Sequence, residues 1–241
     1  LRTQKVRDLS TAVGRLGMPV FLTGMGRGLL GADHPLQFKH GRSRALQAAD
    51  LVVVAGMPCD FRLDYGRQIH PTAFHIAVNR SRQDLRRNKK PDLAIHADPC
   101  TFLLALAEKS TETGLSTEQI SGWIRRLEAN DQERKHQITQ MMGEPTDYIH
   151  PLVLCERIGA ALDENSVIVG DGGDFVATAS YMLQPGAPLC WLDPGPYGTL
   201  GVGAGFALAA GLVRPEAQVW ILYGDGAAGY SLIELDTFVR H

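Results

Sequence analysis

The sequence is poor in cysteine and has no long apolar run. Its 241 residues include only four cysteines, and none belongs to a CxxC pair: Cys59, Cys100, Cys155 and Cys190. This spacing argues against a zinc site or a dense disulfide framework and predicts reduced, mostly buried thiols. No apolar stretch is long enough to cross a bilayer, and the start shows no signal-peptide pattern. Any membrane anchor is therefore expected outside this segment.

An excess of charge of either sign is also missing. The chain has 24 Lys and Arg against 26 Asp and Glu, and its formal net charge is −2. The densest basic run, RSRQDLRRNKK from Arg80 to Lys90, is typical of a solvated helix face. Because no basic stripe is present, we expect no nucleic-acid partner. The composition, 44% hydrophobic and 21% charged, is that of an ordinary globular protein.

Short β-branched runs without alternation predict strands buried on both faces, and helix-like segments separate these runs. The runs are PVFLT, DLVVVAG, FHIAV, LAIHAD, SVIVGD, PLCWLD and QVWILYGDG. The fold class predicted is α/β, with two parallel-sheet domains in tandem. We assign residues 1–110 to the first domain, 111–150 to a polar linker and 151–241 to the second domain. Because the chain opens and closes on helices, we expect the first domain to lack its first strand and the second its C-terminal part.

Three glycine-rich turns follow strands of the second domain, within VIVGDGGDFVATA, WLDPGPYGTLGVGAGFALAAG and ILYGDGAAGYSLIELDTF. Parallel strands end at one edge of a sheet, and ligands bind there. Asp225, between two glycines and before a helix, is placed to hold a magnesium ion shared with a diphosphate. Leu200, among glycines, would project as a wedge. The structural alternatives are an ordinary Asp-Gly turn and close packing of small residues.

A different glycine pattern, GMGRGLLG, contains the dinucleotide-binding spacing GxGxxG at Gly26, Gly28 and Gly31. The fingerprint requires a helix that begins within the glycines, whereas ADHPLQF with Pro35 follows here. Turn formation explains these glycines, although a nicotinamide or flavin oxidoreductase is the rival function that they would support.

Other polar residues receive structural interpretations. The histidines have no metal-ligand spacing. Asp60 and Asp64, close in sequence to Arg62 and Arg67, are expected to form surface ion pairs rather than an acid–base pair.

The order of a glycine-rich turn, a G-T-L-G loop and a GDG strand end resembles the diphosphate-binding domain of thiamine-diphosphate enzymes related to acetolactate synthase. The upstream segments GMPVFLTGMGRGLLGADHPL, ADLVVVAGMPCDFRL and FHIAVNRSRQDL resemble the central domain of that family. The similarity covers nearly the whole chain. VRDLSTAVGRLGMPVFLTGM and GDGAAGYSLIELDTFVRH are most similar to the branch that cleaves 2-hydroxyacyl-CoA.

The resemblance implies thiamine diphosphate and Mg²⁺ as cofactors, with Asp225 as the first magnesium ligand. Leu200 matches the residue that bends the cofactor, and the carbonyl of Gly198 matches the acceptor for its 4′-amino group. Gly226 and Ala227 match residues that offer backbone contacts to the diphosphate. The cofactor-binding residues implied are Gly173, Asp174, Phe175, Gly198, Thr199, Leu200, Gly224, Asp225, Gly226 and Ala227.

Several positions depart from the family pattern. Acetolactate synthases usually have Gln and His where this chain has Asp174 and Phe175, which argues against acetolactate as the product. Asn79 stands where relatives that bind FAD or ADP often have an acid, which argues against a bound adenine nucleotide. The family's activating glutamate lies in an earlier domain, and its second metal ligand, an asparagine, lies further on. No catalytic residue is therefore assigned, and the segment alone is expected to be inactive.

The function implied by the resemblance is cleavage of 2-hydroxyacyl-CoA, a small-molecule substrate, to formyl-CoA and a shortened aldehyde, as in fatty-acid α-oxidation. A glutamate contributed across a subunit interface implies a homo-oligomer, at least a dimer. The resemblance also implies the endoplasmic reticulum membrane. Two alternatives stay open, namely an acetolactate-synthase-type carboligase acting on 2-oxo acids and a catalytically inactive structural homologue.

Overall fold

A computed structural model describes residues 3–113 and 117–241 of the chain. It is an α/β structure with two three-stranded parallel sheets, which confirms the predicted fold class. The chain folds into two compact units. The central unit comprises Leu1–Phe21 and Phe38–Gln132, and the C-terminal unit comprises Leu22–Gln37 and Glu133–His241.

Helices and strands alternate along both units. The strands are β1 (Leu51–Ala55), β2 (Phe74–Asn79), β3 (Leu93–His96), β4 (Val167–Gly170), β5 (Trp191–Leu192) and β6 (Val219–Leu222). The α-helices are α1 (Val6–Leu16), α2 (Arg42–Ala48), α3 (Pro99–Thr113), α4 (Thr117–Met142), α5 (Pro151–Ala161), α6 (Asp174–Met182), α7 (Gly203–Val213), α8 (Asp225–Ser231) and α9 (Glu234–Arg240).

In the central unit the strands lie side by side in chain order, β1-β2-β3, and all pair in parallel. Val52 and Val54 of β1 point into one apolar cluster, which they share with Cys59, Leu63, Ile69 and Ala73. A second cluster joins α1 to α3 through Ala12, Leu16 and Ala107. The β-branched runs therefore form strands because their side chains are removed from water.

In the C-terminal unit β4 lies between β5 and β6. Val167, Ile168 and Val169 of β4 are each at most 1% exposed. Ile168 packs into a cluster that includes residues of α5 and α6, and the two valines pack on the opposite face against α7. Full burial of each such side chain stabilises the fold by about 1.5–3 kcal/mol. The predicted burial of this strand on both faces is confirmed.

The strand predicted at PVFLT is wrong. Residues 19–23 form no strand, and the Val20 carbonyl instead accepts one isolated hydrogen bond from the N–H of Phe38. Proline at position 19 lacks an N–H, and Gly24 follows with a φ of 51°, so the backbone of the run is too irregular to join the sheet.

The predicted domain limits remain a prediction. Residues 22–37, which we assigned to the first domain, fold with the C-terminal unit, and the later division between the units falls between Gln132 and Glu133. Much of the predicted linker 111–150 is helical, since α4 extends over Thr117–Met142. Residues 114–116 of that linker lie outside the described part of the chain.

Two smaller predictions, on the cysteines and on two ion pairs, are confirmed. The four cysteines are buried free thiols. Asp60 pairs with Arg62 and Asp64 pairs with Arg67, both at 2.6 Å. Hydrogen bonds from Arg67 hold the pKa of Asp64 below its ordinary value. Within the described residues, helices with the length and apolar character needed to span a bilayer are absent.

Candidate functional site

The strand order of the C-terminal unit defines where a ligand would bind. The chain passes from the central strand β4 to β5 on one side, and the next connection crosses from β5 to β6 on the other side of β4, so the direction of strand addition reverses. Such a reversal opens a crevice outside the carboxyl ends of the strands. Glycine-rich segments follow β4 and β6 directly, and another follows β5 after Asp193. The predicted site residues therefore come from segments that follow strands ending at one edge.

The turn after β4 contains a fully buried carboxylate. Asp171 is 0% exposed, and its Oδ1 accepts a hydrogen bond from the N–H of Gly201 at 2.7 Å. Its Oδ2 accepts another from the N–H of Gly203 at 2.6 Å. Gly203 is the first residue of α7, so the negative charge also lies at the positive end of that helix. Asp171 thus joins the first turn to the loop of residues 198–203.

Leu200 rests on this turn while part of it faces solvent. A Cβ atom on Gly172 would lie 2.5 Å from Cδ2 of Leu200 and 3.4 Å from the carbonyl oxygen of Gly198. The Leu200 side chain therefore packs directly over a glycine, although the residue is 37% exposed. Gly198 itself has a φ of 60°, a left-handed conformation that glycine adopts without steric cost. The loop presents an apolar side chain at the sheet edge.

The third segment brings Asp225 to the surface. Asp225 is the first residue of α8, preceded by an extended Gly224, and it is exposed. Its carboxylate makes no hydrogen bond or ion pair with any residue in the described part of the chain. Ala227 is 2% exposed, so its side chain is buried and only its backbone remains to contact a ligand. The three segments meet, because Gly201 packs against Tyr230 of α8.

Open space surrounds four glycines of the predicted site. A Cβ on Gly173, Gly198, Gly224 or Gly226 would have no atom within 4 Å. A bulky group can therefore approach this backbone closely, as a diphosphate requires. Groups of three or more His, Cys, Asp or Glu that could hold a metal ion are absent from the described residues. Asp225 offers one exposed carboxylate, and a single carboxylate can hold Mg²⁺ together with phosphate oxygens and water. The residues present fit a metal-bound diphosphate.

Two predicted site residues after β4 have different surroundings. Asp174, the first residue of α6, is exposed. Phe175 is half-buried and packs against the apolar cluster beneath α6. Thr199, beside Leu200, is exposed. Each of the three segments therefore exposes predicted site residues: Gly173 and Asp174 after β4, Gly198 to Leu200 in the loop, and Asp225 and Gly226 at the start of α8.

One glycine of the GxGxxG segment, Gly28, has a packing role that turn formation did not predict. Gly28 has a φ of 75°, and a Cβ there would lie 2.2 Å from the carbonyl oxygen of Ala187. Arg27 stacks on Trp191 at 4.8 Å from the ring centroid and donates a hydrogen bond to the carbonyl of Ser180 at 2.6 Å. No α-helix begins within these glycines, as the dinucleotide fingerprint would require, and the next one is α2.

Comparison with known proteins agrees with this geometry. Residues 2–106 match the central domain of thiamine pyrophosphate enzymes, and residues 171–241 match their C-terminal TPP binding domain. The chain belongs to the thiamine pyrophosphate enzymes, as the sequence resemblance indicated.

Two groups of relatives stand out within that family. The chain is 49% identical over 239 residues to 2-hydroxyacyl-CoA lyase 2 of Mus musculus and 47% identical to that of Homo sapiens. It is 38% identical over 225 residues to acetolactate synthase large subunit IlvG of Mycobacterium tuberculosis, with 93% of this chain and 40% of the synthase covered. The match to each lyase covers 97% of this chain and 37% of the lyase, so the chain spans little more than a third of their length.

Sequence reasoning gave Asp171, Tyr223 and Tyr230 no role, although all three contact the site segments. A Cβ on Gly203 would lie 3.2 Å from Cε1 of Tyr223, whose hydroxyl lies 3.2 Å from that of Ser231. The sequence did point to Asp171, because this residue stands between two glycines directly after a β-branched strand. Asp225 also stands between two glycines, but two residues further from its strand.

Proposed function

We propose that this chain is the cofactor-holding part of a thiamine-diphosphate- and Mg²⁺-dependent lyase that cleaves a 2-hydroxyacyl-CoA to formyl-CoA and an aldehyde one carbon shorter. The observation that carries the proposal is the identity of 47–49% with mammalian 2-hydroxyacyl-CoA lyase 2 across 97% of the chain. The lower identity of 38% with acetolactate synthase favours the lyase over the carboligase. Asp174 and Phe175, in place of the usual Gln and His, favour it as well.

The residues of the chain would act mainly by binding and orienting. The free carboxylate of Asp225 would hold Mg²⁺, and the open backbone at Gly226 and Ala227 would contact the diphosphate. Leu200 would press against the middle of the cofactor, and the Gly198 carbonyl would accept a hydrogen bond from its amino group. When bound, thiamine diphosphate supplies the electron sink for carbon–carbon cleavage. The residues of the chain would thus orient the cofactor and supply a ligand to the metal.

Activity is tested with the full-length protein, since the chain spans 37% of the lyase relatives. We expect aldehyde and formyl-CoA from a 2-hydroxyacyl-CoA when thiamine diphosphate and Mg²⁺ are added, and neither product when either is omitted. Pyruvate is the parallel substrate. If acetolactate forms from pyruvate and no aldehyde forms from the thioester, the carboligase replaces the lyase as the function. If neither substrate gives a product, an inactive homologue is favoured.

Cofactor binding is tested separately from turnover by calorimetric titration. Asp225→Ala should reduce the affinity for thiamine diphosphate in the presence of Mg²⁺ by about a hundredfold, because the metal would lose its protein charge. The matched control is Asp236→Ala, which removes an exposed carboxylate of α9 that pairs with Arg240. Equal affinity in the wild type and the Asp225 variant would contradict the metal assignment.

The assembly and location implied by the family are part of the same proposal. We propose that the protein works as a homo-oligomer, at least a dimer, and that it acts at the endoplasmic reticulum membrane. Sedimentation of the full-length protein would test the first statement, and fractionation of cells would test the second. A monomer with full activity would contradict a site completed by a partner subunit.

A further inference from the structure

The Asp171 carboxylate binds a loop that lies thirty residues further along the chain. Both of its oxygens are used, by the N–H groups of Gly201 and Gly203. An aspartate with 0% exposure is rare, because burial of its charge is costly without compensation. Two short hydrogen bonds to an ionised acceptor and the start of α7 supply that compensation. The contact is therefore a strong local constraint on the loop.

Besides these hydrogen bonds, the loop is held by the packing of Leu200 on Gly172 and of Gly201 on Tyr230. Residues 197–200 are exposed, and Gly198 and Gly201 both have positive φ values, of 60° and 88°. A segment rich in glycine loses more conformational entropy on ordering than other segments do. An external anchor is required for such a loop to keep one conformation.

Two consecutive residues after β4 act on Leu200 from different directions. Asp171 fixes the backbone N–H of Gly201, the residue after Leu200, and Gly172 supports the Leu200 side chain from below. The position of Leu200 is thereby set by the end of the central strand of the sheet. Asp171 itself is buried and has no surface exposed to solvent.

We propose that Asp171 is a positioning residue that fixes the loop of residues 198–203, so that Leu200 and the Gly198 carbonyl are in place before the cofactor binds. The inference rests on the proposed function, because the loop matters for catalysis only if it receives thiamine diphosphate. Its physical content is preorganisation, since an ordered loop costs less entropy on binding than one that must be ordered by the ligand.

Two variants break the contact from opposite sides. Asp171→Asn removes the charge and turns one acceptor into a donor that faces an N–H group. Gly203→Ala keeps the carboxylate but places a Cβ 2.7 Å from its Oδ2. The matched controls are Asp163→Asn, which changes a carboxylate that caps a turn before β4, and Gly205→Ala, whose Cβ in α7 would meet no atom within 4 Å.

The first measurement is hydrogen exchange of the peptide covering residues 198–206 in the cofactor-free protein. We expect exchange about tenfold faster in both test variants, since a hydrogen bond to a charged group is lost, and unchanged exchange in both controls. Unchanged exchange in the test variants would overturn the anchoring role. If Asp171→Asn does not fold, Gly203→Ala with its control Gly205→Ala decides the question.

The second measurement compares two ligands, thiamine diphosphate and inorganic diphosphate, each with Mg²⁺. We expect the test variants to bind thiamine diphosphate about tenfold more weakly and inorganic diphosphate as the wild type does, because only the larger ligand touches the loop. The positioning role would be overturned if the test variants lost affinity for both ligands equally, or for neither ligand. A wild type that binds neither ligand would refute the proposed function, while hydrogen exchange would still decide whether Asp171 anchors the loop.

Discussion

Two turns of the C-terminal unit, at residues 170–172 and 224–226, both read Gly-Asp-Gly and follow neighbouring parallel strands. In the first turn Asp171 is wholly buried and accepts two backbone hydrogen bonds. In the second turn Asp225 is exposed, begins α8 and has no partner among the described residues. The same three residues therefore hold an internal anchor in one turn and an exposed, unpaired carboxylate in the other.

The register of the sheet explains this difference. Gly170 pairs with Leu222, and the N–H of Asp171 still donates to the Leu222 carbonyl at 3.1 Å. Asp171 therefore continues the ladder at the buried centre of the sheet. Asp225 lies beyond the last paired residue of β6, where the chain has already turned into a helix. The number of residues between the aspartate and the last hydrogen bond between β4 and β6, rather than the Gly-Asp-Gly sequence, therefore decides which carboxylate is exposed to solvent.

The largest effect that tests this contrast is on stability. Asp171→Asn should lower the free energy of unfolding of the C-terminal unit by about 3 kcal/mol, because a buried hydrogen bond to a charged group is lost and a donor faces a donor. Asp225→Asn should leave the unfolding free energy unchanged. Chemical denaturation of both variants measures the difference. Equal destabilisation would show that the two carboxylates have the same role.

Substitution of one glycine in each turn should have a smaller effect, on stability in the first turn and on ligand affinity in the second. Gly172→Ala should destabilise the protein by about 1–2 kcal/mol, because its Cβ would displace Leu200. Gly226→Ala has room for its Cβ, so the thermal midpoint should hold while affinity for diphosphate with Mg²⁺ falls. Melting curves and titrations of the pair check this. Loss of stability in Gly226→Ala would contradict the open space beside the second turn.

The smallest effect concerns a buried polar side chain of the other sheet. His75 of β2 is 1% exposed, and neither ring nitrogen has a hydrogen-bond partner among the described residues, unlike Asp171. Burial lowers the pKa of His75, nearby Lys89 lowers it further, and Asp92 opposes both. The unfolded chain then binds the proton more tightly, so stability that is present above pH 6.5 is lost as the pH falls below it.

Replacement of His75 tests the difference between buried polar groups with and without hydrogen-bond partners. His75→Leu should flatten the acid dependence of stability between pH 7 and 5, where one proton contributes at most about 1.4 kcal/mol per pH unit. Denaturation midpoints across this range measure the slope. A wild-type slope in the His75 variant would assign the acid sensitivity to other groups.

The sequence predicted what depends on local pattern. The run Val167–Val169 is β-branched and unalternating, and it is buried on both faces as expected. Asp225 was selected from its glycines and from the helix that follows, and these are local too. The contact between Asp171 and Gly203 joins residues 32 positions apart, so pairing register had to be known first. Gly28 was missed for the same reason, because its neighbour Ala187 is distant in sequence.

The Asp171 anchor accepts hydrogen bonds from backbone N–H groups rather than from side chains, and this has a consequence for protein engineering. Gly201 and Gly203 must stay small, since a Cβ would meet Tyr230 at the first and Asp171 at the second. Thr199 and Val202 contribute no side-chain atom to the anchor, whereas the Leu200 side chain packs over Gly172 and is kept. A library randomised at codons 199 and 202 should therefore preserve the backbone conformation of the loop while changing the side chains beside Leu200.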